Sequence, residues 1–109
     1  DLNLDGPRET AAEVAAAGGS ADAVRLDVTD ETAVATIIRA AKERYGCIDL
    51  LFNNAGMAHN GEFQDICAAD FRRVVDVNFW GVVHGTRAAY PIMIDQGFGT
   101  IANVTSLAG

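Results

Sequence analysis

The sequence predicts a doubly wound α/β layer fold built on a parallel sheet, and three observations predict it. Short apolar runs alternate strictly with longer amphipathic runs, the pattern of βαβ units. The polar residues best suited to chemistry fall where apolar runs end, at Asp1, Asp27, Asn53-Asn54 and Thr105-Ser106. Right-handed crossovers carry the carboxyl ends of parallel strands to one edge, and open sheets bind ligands at that edge.

Each element has its own signals. Pro7 lies just inside a helix start; Glu9, Ala11, Ala12, Glu13, Val14 and Ala15 to Ala17 continue the helix, and Gly18-Gly19 stops it. Ala23 to Leu26 reads as a short strand ending at Asp27-Val28, and Asp1 as the end of another. Thr29 is the expected N-cap of the next helix, with Asp30 and Glu31 in its first turn. Val34, Ile37, Ile38 and Ala41 make one apolar face, and Lys42, Arg44 and Gly46 close the helix. Ile48 to Phe52 is the clearest strand, apolar enough for burial on both faces. A loop through His59, Asn60 and Gly61 leads to a long helix from about Ala68 to Tyr90, which Pro91 continues or kinks. Gly97 and Gly99 break it, and Thr100 to Thr105 reads as a last strand.

Composition narrows the functional classes. At 109 residues with 50% apolar content the chain is at most one folded domain. A net charge of −7 argues against nucleic acid, which clustered Lys and Arg would bind. No 18-residue apolar run or signal-peptide pattern points to a membrane. Cys47, at a helix-to-strand turn, and Cys67, near a helix start, have no metal-site spacing, and no metal is expected. Two isolated thiols suit a reduced, cytoplasmic protein.

Four motifs in order then resemble one family. Asn53-Asn54-Ala55-Gly56 at a strand end resembles the NNAG signature of the short-chain dehydrogenases/reductases. Leu26-Asp27-Val28-Thr29-Asp30 resembles the family's adenine-contacting strand end, with Asp27 27 residues before Asn54. Val77-Asn78 resembles the helical Asn of the catalytic tetrad. Ile101 to Gly109 resembles the strand and serine of the tetrad, with Ser106 28 residues after Asn78. The family's TGxxxGIG turn and YxxxK pair have no counterpart here; neither Tyr45 nor Tyr90 has Lys four residues on. Thr105-Ser106 stands where Ser-Ser is usual. The resemblance therefore implies the central portion, residues 1–109, of a single NAD(P)-binding Rossmann-type domain, a three-layer sandwich lacking its first strand, glycine loop and C-terminal part. This portion alone is expected to be inactive.

The resemblance also implies roles. The parent is expected to transfer hydride between NAD(P) and a small alcohol or ketone, with NAD favoured because the Asp1 carboxylate would accept from ribose hydroxyls and repel a 2′-phosphate. Asp27 would meet the adenine amino group, helped by the Val28 backbone, although Asp at that position also suits a turn cap. Asn54, Ala55 and Gly56 let backbone approach the cofactor, while Asn53 ties neighbouring strands together. Asn78 is expected to bend its helix and order a water for the proton relay, and Ser106 to donate to the substrate oxygen. A member that has lost catalysis and serves as a nucleotide sensor or scaffold is the alternative; a flavodoxin-like binding module would not place Asn78 and Ser106 as found. His59 reads as a surface-loop residue, and His84 and Trp80 as packing or interface residues. Gly81 and Gly85, four apart, would allow close helix packing, and the apolar helix from Asn78 to Ala89 would pair subunits in a dimer or tetramer.

Overall fold

The computed structural model describes residues 1–106. Its helices are α1 (Asp5–Ala16), α2 (Glu31–Tyr45), α3 (Ala68–Val75) and α4 (Gly81–Gln96), and its strands are β1 (Leu50–Asn53) and β2 (Thr100–Asn103). A 3-10 turn spans Phe63–Asp65 and a π-helical turn Asp76–Trp80. The expected strand–helix alternation is present from α2 onward, with boundaries shifted where side chains compete for the backbone, but among the described residues no strand separates α1 from α2.

The N-cap of α2 is Asp30, not Thr29: its carboxylate accepts from the Ala33 N–H at 2.9 Å. Thr29 is otherwise engaged, because both its N–H and its hydroxyl donate to Asp27 Oδ1. Gly46 closes α2 at φ +86, a conformation that L side chains avoid, and its N–H reaches the Lys42 carbonyl.

β1 and β2 run parallel, with Leu50 opposite Thr100 and Asn53 opposite Asn103. β1 begins at Leu50 rather than Ile48 because Gln96 takes both backbone groups of Ile48. Its Oε1 accepts from the Ile48 N–H at 2.9 Å, and its Nε2 donates to the Ile48 carbonyl at 3.0 Å. β2 stops at Asn103, short of the expected Thr105, although the Val104 N–H still donates to the Asn53 carbonyl. Ala23 to Leu26 is extended but is not a strand. It makes one parallel bridge, in which the Asp1 N-terminus donates to Val24 O and the Leu26 N–H donates to Asp1 O. One bridge brackets Arg25 against Asp1 and goes no further, since Leu2 turns away into α1.

A long helix does follow Ala68, but it holds a π-helical turn and runs on to Gln96 with Pro91 inside it. One extra residue in that turn rotates the faces on either side by about 100° relative to one another. As a result Gly81, Gly85, Ala89 and Met93, spaced by four, form the buried stripe of α4. The two glycines meet this chain's own loop and strand rather than another helix. A Cβ on Gly81 would stand 2.8 Å from Val28 Cγ2, and one on Gly85 would overlap Asn53 Oδ1. Their absent side chains are what let α4 lie against Val28 and β1.

α2 and α4 pack on each other, and α4 on both strands. Val34, Ala89 and Met93 are the buried apolar residues. β1 is covered on one face only: Leu50 is 47% and Phe52 61% exposed, against the expectation of burial on both sides.

Candidate functional site

The carboxyl ends of the extended segments converge. Asp1, Leu2, Leu26, Asp27, Val28, Asn54, Ala55, Gly56, Met57, Arg73 and Val77 line one cleft of about 410 Å³. All six expected cofactor-binding residues, Asp1, Asp27, Val28, Asn54, Ala55 and Gly56, are therefore brought together. That volume lies in the range of small-molecule sites.

Asp27 carries out the turn-capping role and still faces the cleft. Oδ1 accepts from Thr29 N at 3.0 Å and Thr29 Oγ1 at 2.8 Å. The Thr29 backbone bond first, then its hydroxyl, holds the Asp27 carboxyl below the usual carboxylate range, with smaller help from Arg73 and Arg25. The group is thus fully ionised at neutral pH. Val28 is fixed from the far side. Its carbonyl can only accept, so His84 Nδ1, 2.9 Å away, carries the proton and donates. His84 also stacks on Trp80, which makes it the packing residue the sequence suggested.

Asn53 is the buried tie between strands. Its Nδ2 donates to Asn103 Oδ1 at 2.8 Å and to Thr86 Oγ1 at 3.2 Å, which joins β1, β2 and α4 at the point where the cleft begins. With Asn53 held below, Asn54, Ala55 and Gly56 emerge exposed. Asn78 lies in the π-helical turn, and such turns cluster at functional sites. Its Oδ1 accepts from the Met57 N–H and its Nδ2 donates to the Met57 carbonyl, both at 2.8 Å. The amide therefore clamps the residue that follows Gly56. Ser106 is exposed just past β2, on the edge from which Asn54 also emerges, since Asn53 and Asn103 are in register. Leu107, Ala108 and Gly109, the end of the serine motif, lie outside the described residues.

Sequence reasoning did not single out Met57, Arg73 or Gln96. Met57 could have been found as the residue after the NNAG run, within reach of a mid-helix Asn that needs two partners. His59 stays peripheral, 3.9 Å from Asp70. Among the described residues no cluster could hold a metal ion, and no helix is long and apolar enough to cross a membrane.

The cleft wall combines the carboxyls of Asp1 and Asp27, apolar Leu2, Val28 and Val77, and small exposed residues from Asn54 to Gly56. Comparison with known proteins identifies the family. The family model described as short chain dehydrogenase matches residues 1–109. The chain is 38% identical over 109 residues to 2,5-dichloro-2,5-cyclohexadiene-1,4-diol dehydrogenase LinX of Sphingobium indicum, covering 100% of this chain and 44% of that one. It is similar to the structure of a 7α-hydroxysteroid dehydrogenase complexed with NADH and 7-oxo glycochenodeoxycholic acid. There the TM-score is 0.91 and the identity 34%, covering 99% of this chain and 42% of that one. A metagenomic short-chain oxidoreductase in complex with NADP matches at TM-score 0.91 and 29% identity, covering 98% of this chain and 49% of that one. The chain spans between about a fifth and about two fifths of the length of the curated relatives it matches. It belongs to the short-chain dehydrogenase/reductase family and carries an incomplete Rossmann-type α/β fold.

Proposed function

We propose that this chain is the central portion of an NAD-dependent oxidoreductase that acts on a small alcohol or ketone in the cytoplasm. The observation that carries the reading is the single cleft in which Asp1, Asp27, Val28, Asn54, Ala55 and Gly56 meet. A bound nicotinamide cofactor supplies the hydride acceptor or donor. Asp1 accepts from the ribose hydroxyls, Asp27 and the Val28 backbone receive the adenine edge, and Asn54 to Gly56 lie along the cofactor. Asn78 acts by positioning: with its amide spent on Met57, it fixes the loop that borders the cleft. Ser106 holds the substrate oxygen by donating its hydroxyl proton in a hydrogen bond. The tyrosine and lysine that the family resemblance implies for proton exchange have no counterpart among these 109 residues.

Cofactor choice tests the reading. The Asp1 carboxylate favours NAD, because it accepts from a free 2′-hydroxyl and repels a 2′-phosphate. In the intact gene product the ratio of kcat/KM for NAD to that for NADP should exceed one, and Asp1→Ala should lower it about tenfold through loss of a charge-assisted hydrogen bond and relief of repulsion. A wild-type preference for NADP contradicts the assignment.

The same reading makes the protein a homo-oligomer. Phe79, Trp80, Tyr90 and Ile94 are each about half exposed or more along one helix, an apolar surface that a partner subunit would cover. Sedimentation of the intact gene product should give a dimer or tetramer at micromolar concentration, and a monomer there removes this part of the reading.

A further inference from the structure

Arg73 and Val77 are four residues apart, so they share one face of the helix that borders the cofactor cleft. Both line the cleft that holds Asp1, Asp27 and Asn54. Arg73 also lines the adjoining cleft with Leu2, Thr29 and Asp76, so its side chain stands on the ridge between the two. Among the described residues it makes no hydrogen bond or ion pair, unlike Arg44 and Arg87, which bridge to Asp22 and Glu31. A guanidinium left unpaired on a cleft wall that Val77 and the Asp27 carboxylate also line has the chemistry to bind a flat aromatic base. Its planar, weakly hydrated face stacks on π systems, and the base's amino edge is left for the carboxylate.

We infer that Arg73 is a further cofactor-binding residue, its guanidinium forming with Val77 the helix-side wall of an adenine slot closed on the other side by Val28 and Leu2. The inference rests on the cofactor reading of this cleft and names a residue that reading does not use. The influence of Arg73 on the Asp27 carboxyl, which it helps to keep ionised, is consistent with this closeness.

Calorimetric titration of the intact gene product with NADH, NADPH and 5′-AMP tests it, using Arg73→Ala and Arg73→Lys. Arg73→Ala should weaken NADH and 5′-AMP by the same factor, about five- to tenfold for a stacked cation. Arg73→Lys should recover only a small part, because an ammonium has the charge but no plane. Unchanged NADH affinity in Arg73→Ala, a loss confined to NADPH, or full recovery in Arg73→Lys each overturns the stacking role. Failure of the wild-type protein to bind either NADH or 5′-AMP is a different result: it removes the cofactor reading itself.

Discussion

Ser106→Ala in the intact gene product should lower kcat by about 10²–10³, the usual effect of removing one donor aimed at a developing oxyanion. NADH affinity should change by less than about twofold, since the residues proposed to hold the cofactor, Asp1, Asp27 and Asn54 to Gly56, line a cleft to which Ser106 does not contribute. The placement carries the expectation. β2 pairs with β1 through Asn103, the next backbone bond runs from Val104 to Asn53, and Ser106 follows on the edge where Asn54 emerges. Thr105→Ala should be mild, because neighbouring residues of extended chain direct their side chains to opposite sides. If Thr105→Ala proved crippling and Ser106→Ala mild, the register past Asn103 would be wrong by one. If neither mattered, the serine would have no part in the chemistry.

Gly85→Ala should destabilise the fold by about 2 kcal/mol, even though alanine is the better helix former by about 1 kcal/mol. The new methyl group would overlap Asn53 Oδ1 and come within 3.6 Å of Leu51. Asn53 cannot yield cheaply. It is only 9% exposed, and its amide is committed to Asn103 and Thr86. Displacing it strands a buried amide, at about 1–3 kcal/mol. Denaturant midpoints of the single variants and of Asn53→Ala/Gly85→Ala check the mechanism. The double variant should lose less than the sum of the singles, because truncating Asn53 makes room for the methyl. Strict additivity, or an unchanged midpoint in Gly85→Ala, would mean that helix and strand do not meet through this pair.

The residues that gather at the carboxyl edge of the sheet were legible in the sequence. Asn53 to Gly56, Asn78 and Ser106 carry polar or small groups where propensity alone would choose others, and Asn53 does tie β1 to β2 as expected. What escaped depended on competition between near equals or on three-dimensional context. Thr29 and Asp30 are both good N-caps, and Asp27 decided between them by taking Thr29. Ile48 has the composition of a strand residue, but an amide 48 positions away took its backbone. The π-helical turn leaves no periodic mark, because a single extra residue only shifts the phase between Val77 and Gly81. Gly81 and Gly85 looked like helix-packing positions because their spacing says only that something comes close, not whether it is a helix or a strand. Arg73 belongs to no motif in the sequence, and only the fold brings it to the cleft that Asp27 also lines.

The central claim is that the edge bearing Asp27 and Asn54 to Gly56 holds a nicotinamide dinucleotide. Titration of the intact gene product with NADH, followed by enhancement of nicotinamide fluorescence, tests it most directly when run beside Ala55→Leu. Leucine at this exposed position would fill the space in which backbone meets cofactor, so the account predicts saturable binding by the wild-type protein and affinity at least about tenfold lower in the variant, roughly 1.4 kcal/mol. Absence of saturable binding, or equal affinity in Ala55→Leu, would contradict it.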